Sequence, residues 1–457
     1  MTKRFLEGLA RWPAGVAAGP FNFYSGQMGL AKGVPIHDYA QVPGVAPASE
    51  FAWINRMEAP VGAQGEAIYA RYRKLLEAEG GYGQLLRYHI YQRDKRFFSV
   101  FDRVRRQYEQ APPASTAVGV GRFEPSDEVR LCIDSIVLRG ESTLGARSVH
   151  GGSGKHAAAA HFSHVISAAP FLFLAGQIPV DTSLPGSPLI RNYEDIPAEG
   201  HFLRVGRSHE DARNGPVAAQ TWFTYDLIRK HLEGAGSSMD HILNLIVYLQ
   251  DMRDFPTFHR VHERFFGASP PALTVIDVGE VGHKGTLLEI EPTAIVANGK
   301  LKLNAYADER SPRPAHMSAA VEAGGLAFVS GIPGALPDGT VPRTLSELPA
   351  TWRRHALIAG KRRPEEVVVQ TAAAIGQLSQ RMKAIGHDMA RVVHLTVYVD
   401  DIDAFARVAP LLERAFGRRR PALMVLEVPH PSPIEGVRIS ATAIAWTGAG
   451  APSIIAG

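Results

Sequence analysis

The chain has 457 residues, 45% of them hydrophobic and 21% charged, which is typical of a soluble globular protein with about three domains of ordinary size. Cys132 is the only cysteine, which excludes an intrachain disulfide framework and a zinc site built from cysteines. The net charge of +4 is small, which disfavours a nucleic-acid partner, and no run of about 18 apolar residues predicts a transmembrane helix. We therefore expect a cytoplasmic protein without a membrane partner.

Three segments near the start of each third of the chain share one pattern. They read PAGVAAGPFNFYSG, SHVISAAPFLFLAG and SAAVEAGGLAFVSG, at residues 13–26, 163–176 and 318–331. Small residues in the middle of each segment predict a tight turn, so each segment predicts two consecutive strands that end on a glycine. Glutamine follows that glycine in the first two copies, as Gln27 and Gln177.

A helix is predicted next in each copy, after a loop that is rich in proline and glycine. The three helices are expected to begin near Gln64, Gln220 and Gln370. Each runs into a glycine that is expected to close the helix in a left-handed conformation, namely Gly80, Gly236 and Gly386.

Two further blocks complete each copy. A predicted strand ends near a tyrosine, and a phenylalanine seven residues later opens an amphipathic helix. These pairs are Tyr91 and Phe98, Tyr248 and Phe255, and Tyr398 and Phe405. A Pro-Ala pair and two β-rich runs follow, and the spacing from the tyrosine to the proline is 22, 23 and 23 residues. A spacing this constant indicates an internal repeat.

The order strand–strand–helix–strand–helix–strand–strand predicts an α+β repeat, with one sheet that carries its helices on one face. The other face of each sheet would be buried only if the three copies pack together. We place the repeats at 1–139, 158–298 and 312–447, the linkers at 140–157 and 299–311, and a tail at 448–457.

The second repeat carries the most complete set of motifs. It has AGQIP at 175–179, QT at 220–221, VYLQDMRDF at 247–255, PA at 271–272 and EIE at 289–291. In this order the motifs resemble the Rid family, also called YjgF or L-PSP, and the first and third repeats keep the register with weaker matches. The resemblance implies three tandem YjgF-like (chorismate-mutase-like) domains. Because family members are usually homotrimers, it implies that this monomer is an intramolecular pseudo-trimer, with sheets inward and helices outward, and that higher assembly is open to it.

The resemblance also implies active sites in the clefts between domains, and here the chain departs from the family. Family members that hydrolyse imines and enamines hold the substrate carboxylate with an arginine after the Pro-Ala pair. The three repeats have Ser115, Leu273 and Leu423 at that position, so the usual arginine is missing from all three clefts.

The resemblance leads us to predict Glu289 and His259 as catalytic residues, because histidine titrates near neutrality and the pKa of a partly buried glutamate can be raised towards it. For His259, a structural hydrogen-bonded role is an equal alternative. We align Arg130 and Arg438 with Glu289 and predict that they bind an acidic group of the substrate. Their alternative role is to protect strand edges with charge.

The Gly-Gln pairs are the remaining substrate-binding candidates, at Gly26 and Gln27 and at Gly176 and Gln177. Their backbone is predicted to border the cleft, whereas the glutamine side chains are expected to cap backbone groups.

We predict a cofactor-independent enzyme without a metal, which performs hydrolysis, deamination or elimination on a small anionic or nitrogen-containing metabolite of the imine or enamine class. Because the cleft positions differ between repeats, we expect one working site, or at most two. One alternative is a chorismatase-like enzyme that cleaves an enolpyruvyl ether. A second is a non-catalytic ligand-binding or regulatory protein, which fits the loss of all three arginines. RNA binding is least favoured, because the arginine clusters at 361–363 and 418–420 are interpreted as solvated faces.

Overall fold

The computed structural model describes residues 12–44, 57–124, 126–149, 161–299, 301–307, 316–356 and 365–456. The basic run at 361–363 and residues 150–157 of the first predicted linker lie outside the described residues. Arg418 and Arg419 are exposed, in agreement with the interpretation of that cluster as a solvated face.

The elements recur in the predicted order in all three repeats. The first repeat contains β1 Gly15–Ala18, β2 Phe21–Met28, β3 Leu30–Ala31, β4 Val34–Pro35, α1 Ala59–Glu77, β5 Leu85–Gln92, α2 Phe98–Tyr108, β6 Ala114–Gly119 and β7 Leu131–Leu138. After β8 Ala146–Ser148, the second contains β9 Val165–Ala168, β10 Phe171–Leu174, α3 Ser208–Gly234, β11 Ile242–Leu249, α4 Phe255–Phe265, β12 Ala272–Asp277, β13 Glu280–Val281 and β14 Leu288–Ile295. After β15 Asn304–Tyr306, the third contains β16 Ala320–Ala323, β17 Leu326–Pro333, α5 Ala350–Ala356, α6 Glu366–Ala384, β18 Val392–Val399, α7 Phe405–Phe416, β19 Ala422–Glu427, β20 Ile439–Trp446 and β21 Ser453–Ile455.

The first long helix of each repeat begins before the glutamine that was expected to start it. In α1 the reason is Pro60, which lacks a backbone N–H and fits only the first helical turn, so the helix begins at Ala59. The predicted glycine caps are confirmed, since Gly80, Gly236 and Gly386 have φ values of +93°, +74° and +82°.

Each repeat forms the same five-stranded core sheet. The strand orders are β6-β5-β7-β2-β1, β12-β11-β14-β10-β9 and β19-β18-β20-β17-β16. The first pair in each order is parallel, because a helix connects those two strands, and the other pairs are antiparallel. The architecture is therefore α+β, as the sequence predicted.

The outer edge of each sheet is covered by a strand from the segment that follows another repeat. Strand β8 pairs with β9, β15 pairs with β16, and β21 in the predicted tail pairs with β1 of the first repeat. Each of these strands satisfies backbone groups that would otherwise form an exposed sheet edge. The third repeat and the first are thereby joined by main-chain hydrogen bonds.

Each sheet packs one face on its own helices and the other face against the remaining sheets. Phe21 of the first sheet meets Phe171 of the second edge-to-face, with ring centroids 5.4 Å apart. The three motif tyrosines, Tyr91, Tyr248 and Tyr398, share one buried cluster. None of the helices in the described part of the chain combines the length and apolar character that a membrane crossing requires.

A buried ionic network also joins the three sheets. His89 contacts Glu291 (Nε2 to Oε2, 2.8 Å) and Asp134 (Nδ1 to Oδ1, 2.6 Å), Arg87 Nη1 lies 3.1 Å from Glu291 Oε1, and His394 Nε2 lies 3.2 Å from Asp134 Oδ2. Burial lowers the pKa of His89, but the two carboxylates outweigh burial and raise the pKa to about 10. The network thus holds a protonated histidine between carboxylates from two different sheets.

Candidate active site

Strand pairing fixes which residues of the three repeats are equivalent. Tyr248 pairs with Glu289, Tyr91 pairs with Cys132, and Tyr398 pairs with Ser440. Because the three tyrosines occupy the same place in their sheets, Cys132 and Ser440 are the counterparts of Glu289.

The alignment of Arg130 and Arg438 with Glu289 is therefore wrong by two residues. Both arginines correspond to Leu287. In each repeat the carbonyl oxygen of this residue accepts the backbone N–H of the second residue after the motif tyrosine. Side chains alternate along a strand with a period of two. An offset of two residues therefore leaves the arginine side chains on the same face of the sheet, but about 7 Å further along the strand towards the rim. Alternation alone cannot reveal such an error, because both registers bury the same set of side chains.

The two arginines lie apart from Glu289. Arg438 donates through Nε to Asp400 Oδ2 at 2.8 Å, and this hydrogen bond raises the pKa of Arg438. Arg130 is exposed. The structure therefore brings neither arginine together with Glu289.

Glu289 lies in the wall of a cavity of about 330 Å³ between the first and second sheets, which we call the Glu289 cleft. The first repeat contributes Lys95, Phe98, Ser115 and Ala117 to its lining. The second contributes the predicted Gly176 and Gln177, several apolar side chains and the loop that follows β13. Strand β13 itself pairs with β6 of the first repeat, so main-chain hydrogen bonds hold the two sides together.

The Glu289 carboxyl group has the electrostatic environment of an acid–base group. Its side chain is 4% exposed, and this burial is the main reason that its pKa rises to about 7. The positive charge of Lys95 and hydrogen bonds with the backbone of Ala117 and Gly282 act in the opposite direction. A carboxyl group that titrates near neutrality can both accept and donate a proton at physiological pH.

Lys95 is the functional candidate that sequence reasoning missed. Its Nζ donates to the carbonyl oxygen of Ala117 and lies 5.8 Å from the centre of the Phe98 ring, while its backbone N–H donates to Glu280 Oε2 at 2.9 Å. Burial lowers the pKa of Lys95, against the charges of Glu289 and Glu280. A comparison of the repeats could have identified Lys95. It is the fourth residue after the motif tyrosine, where the other two repeats have the apolar residues Met252 and Ile402.

The position of the missing family arginine is occupied by Ser115, which lines the Glu289 cleft. Arg105 on α2 donates through Nη1 to Ser115 Oγ at 3.3 Å and pairs with Asp102. Its guanidinium group lies 5.3 Å from the centre of the Phe98 ring. A buried arginine thus contacts this wall of the cleft from the helix behind it.

The Gly-Gln pairs occupy two different clefts. Gly176 donates its backbone N–H to Thr116 Oγ1 at 2.9 Å, and a Cβ at this position would overlap the carboxylate of Glu289, so a larger residue would force that carboxylate to move. Gln177 donates its side-chain amide to the carbonyl oxygen of Ala175 at 2.8 Å, which is a backbone-capping contact.

Gln27 makes the equivalent 2.8 Å contact with Ser25 in the first repeat. Gly26 faces Met424 of the third repeat, and neither Gly26 nor Gln27 lines the Glu289 cleft.

His259 lies on α4, outside the lining of the Glu289 cleft. Its Nε2 accepts the backbone N–H of His316 at 2.7 Å, and its Nδ1 lies 3.6 Å from Glu263. The structure therefore does not bring His259 and Glu289 together, and the contacts of His259 are those of a histidine that anchors the start of the third repeat.

The two equivalent clefts are narrow. The Ser440 cleft, between the second and third sheets, encloses about 30 Å³ beside Leu273, Gly331 and Ser440, which is roughly the volume of one water molecule. In the Cys132 cleft, between the third and first sheets, Met424 Sδ lies 3.6 Å from Cys132 Sγ and would lie 2.6 Å from a Cβ on Gly26. Of the cavities beside Glu289 and Ser440, the one beside Glu289 has room for an organic substrate.

A metal-binding cluster is absent from the ranges that the structure describes, where no three His, Cys, Asp or Glu side chains are grouped to hold an ion. The titratable groups that line the Glu289 cleft are the carboxyl group of Glu289, the cations Lys95 and Arg96, and the imidazoles of His164 and His283, and apolar side chains lie among them.

Comparison with known proteins gives matches at the level of single repeats. A family model described as endoribonuclease L-PSP matches residues 153–296 and 309–445. A RutC family protein of Pyrococcus horikoshii is 32% identical over 133 residues, which is 29% of this chain and 85% of the relative. The 3-aminoacrylate deaminase RutC of Acinetobacter baylyi is 26% identical over 121 residues, 26% of this chain and 95% of the relative. The crystal structure of RidA from a Psychrobacter species is 20% identical and covers 33% of this chain and 99% of its own, with a TM-score of 0.25.

Proposed function

Because this chain belongs to the endoribonuclease L-PSP family, we propose that it is a Rid-type enzyme that hydrolyses a small imine or enamine in the Glu289 cleft. One observation carries the proposal: a buried carboxyl group that titrates near neutrality lines the same cavity as a lysine. The likeness to a 3-aminoacrylate deaminase supports the choice of reaction class.

The proposal includes a pseudo-threefold arrangement of three domains, at 1–139, 158–298 and 312–447, with sheets inward and helices outward. The shared cluster of Tyr91, Tyr248 and Tyr398 supports it, as does the pairing of β21 with β1. In a ring of this kind one chain supplies all three clefts, so we expect the monomer to be active in the cytoplasm.

In the proposed reaction, Lys95 binds the anionic group of the substrate in place of the missing arginine. A partly buried ammonium group binds a carboxylate strongly, because such charge-assisted hydrogen bonds are strengthened away from water. The substrate is thereby held with its C=N carbon close to Glu289, and positioning of this kind lowers the entropic part of the barrier.

Glu289 moves the proton. As a carboxylate it accepts a proton from the water that attacks the C=N carbon, and it then passes that proton to the nitrogen. The resulting carbinolamine then gives its hydroxyl proton to Glu289, which delivers it to the amino nitrogen as the carbon–nitrogen bond breaks. Ammonia leaves, and the carbonyl product remains. A general base of this kind contributes about 10²–10⁴-fold to the rate. Since only the ionised form accepts the proton, kcat/KM is expected to rise with pH and to level off above about 7.

The test is the release of ammonia and carbonyl product, above the spontaneous rate, from 2-iminopropionate and 3-aminoacrylate, with chorismate in the same panel. We expect Glu289→Gln to lower turnover by about 10²–10⁴-fold. Ser440→Ala and Cys132→Ser change the equivalent residues of the narrow clefts and are the matched controls, with turnover within about twofold of wild type.

Three other outcomes would contradict the proposed function or favour one of its alternatives. Turnover that survives Glu289→Gln would contradict the assignment of the site. Turnover of chorismate alone would favour the chorismatase-like alternative. Binding of the imine products without turnover of any compound would favour a ligand-binding protein.

A further inference from the structure

We infer that the substrate of the Glu289 cleft carries a large apolar group, so that it is a 2-imino acid with a branched aliphatic or aromatic side chain. The inference rests on the proposed function and adds the class of side chain. It comes from the walls of the cavity rather than from its acid–base groups.

The carboxyl group of Glu289 and the ammonium group of Lys95 lie at one part of the cavity, beside β6. Lys95 contacts Ala117 of β6, and the Glu289 carboxyl group also interacts with the backbone of Ala117. Most of the apolar lining comes from the second repeat, which supplies Leu227 from α3 together with Phe162, Ile178 and Val180. The same repeat adds the polar residues His164, Thr182 and His283 to the lining. A ligand that satisfies both parts has an ionic end at β6 and an apolar end at α3.

The size of the cavity leads to the same class of ligand. A volume of about 330 Å³ corresponds to roughly eleven water molecules at about 30 Å³ each. The three-carbon compound 2-iminopropionate has six non-hydrogen atoms and would leave about half of this space to water. A branched or aromatic side chain fills the remainder and removes apolar wall from water, which is favourable in proportion to the area buried.

The apolar residue on the long helix is peculiar to this cleft. Leu227 lies seven residues after Gln220, and its counterparts Arg71 and Gln377 lie seven residues after Gln64 and Gln370. The three glutamines are equivalent, because each accepts the backbone N–H of the residue just before the last strand of its core sheet.

In the other repeats the polar side chain at this position bonds to the segment that follows the Gly at the cleft. Arg71 Nη1 donates to Gln27 Oε1 at 3.4 Å, and Gln377 Nε2 donates to the carbonyl oxygens of Pro333 and Ala335 at 2.8 and 2.7 Å. Leu227 can make no such hydrogen bond, and its apolar side chain lines the cavity. The open cleft is therefore also the cleft in which the helix presents an apolar side chain.

The experiment measures two ratios. The first is kcat/KM for 2-imino-3-phenylpropionate over 2-iminopropionate, both generated in situ by an amino-acid oxidase. The second is the affinity for phenylpyruvate over pyruvate, which are stable product analogues, measured by calorimetry. We expect both ratios to exceed roughly tenfold in the wild-type protein, since hydrophobic pockets discriminate by about 10–200-fold per group.

Leu227→Gln introduces the residue of the third repeat and is expected to lower both ratios at least threefold. If that variant unfolds, Phe162→Met tests the same wall, because it introduces the side chain that the third repeat has at Met317. Ser440→Ala is the control that keeps the wild-type ratios. Wild-type ratios near one, or ratios unchanged in both wall variants, would overturn the inference.

The two proposals fail in different ways. Turnover of both imines without a preference would overturn the inference and leave the proposed function standing. A preference for phenylpyruvate without turnover of any imine would support the ligand class and contradict the proposed reaction.

Discussion

The Glu289 cleft and the Ser440 cleft occupy equivalent places between neighbouring sheets, yet one encloses about 330 Å³ and the other about 30 Å³. The core sheets beside the two clefts follow the same strand order, whereas the side chains and one bordering loop differ. Where the open cleft has Glu289 and Ser115, the narrow cleft has Ser440 and Leu273. A repeated fold can therefore keep one strand order while the residues that line its clefts differ.

The Cys132 cleft closes in another way. Its Met424 occupies the strand position that Thr116 has in the open cleft, and Met424 packs against Cys132. Methionine is flexible enough to fill an irregular gap. Where Thr116 has a small hydroxyl side chain, Met424 has a long apolar one, and it joins Cys132 in a buried hydrophobic cluster.

The largest effect is expected on the free energy of unfolding, which should change in opposite directions when two carboxylates on the same strand of the open cleft are replaced. Glu291 lies two residues after Glu289 and pairs with Arg87 and His89, whose charges hold its pKa low against burial. We expect Glu291→Gln to lower the free energy of unfolding by about 3–5 kcal/mol at pH 7, because it leaves buried charges without their partner. Glu289→Gln is expected to raise it by about 1 kcal/mol, since it removes a buried charge.

The pH dependence distinguishes the two carboxylates. The depressed pKa of Glu291 means that its contribution is present above the unfolded pKa of about 4.3 and is lost as pH falls through the folded value. The raised pKa of Glu289 means that its destabilising charge appears as pH rises from about 4 to about 7. Urea unfolding of both variants between pH 3 and pH 8 checks these signs, and a loss of stability in Glu289→Gln at pH 8 would contradict the assignment of Glu289.

The second prediction concerns two equivalent glycines. A Cβ on Gly176 would overlap the Glu289 carboxylate, so we expect Gly176→Ala to displace it and to lower turnover about hundredfold, the cost of a misplacement of about 1 Å. The matched control is Gly331→Ala in the Ser440 cleft, where the added Cβ would lie 3.5 Å from Thr274 in ordinary contact. Equal turnover in the two variants would contradict the assignment of the active site to the Glu289 cleft.

The fold was predictable because the repeat supplied three independent copies of each signal. Strand turns, glycine caps and the Tyr-to-Pro spacing all recur, and a misleading feature in one copy is corrected by the others. The helix starts were placed too late, because the buried Gln64 and its counterparts lie inside their helices rather than at the start.

The site was harder to predict because it is assembled from two repeats. Glu289 was identified within one repeat, whereas Lys95 comes from the other side of the cleft and only the packing of the sheets brings it close. The alignment of Arg130 and Arg438 failed because a two-residue shift leaves the alternation of the strand unchanged, and hydrogen-bond register is needed to detect it.

The smallest expected effect tests what the cation does. Lys95→Met introduces the residue that the second repeat has at this position, and we expect kcat/KM to fall about tenfold, mainly through KM, because one charge-assisted hydrogen bond to the substrate is lost. Lys95→Arg retains the charge and is expected to recover part of the loss.

Binding of two ligands decides whether the charge itself is responsible. Phenylpyruvate and its neutral amide have the same shape, so a wild-type protein in which Lys95 recognises the carboxylate binds the acid more tightly than the amide. Lys95→Met should lose that preference. Its affinity for the amide should change little. If the preference survives in Lys95→Met, the carboxylate is held by another cation. Arg96 in the cleft lining and Arg105 behind Ser115 would then be the residues to change, and the open cleft would differ from the narrow ones by its carboxyl group and its volume rather than by Lys95.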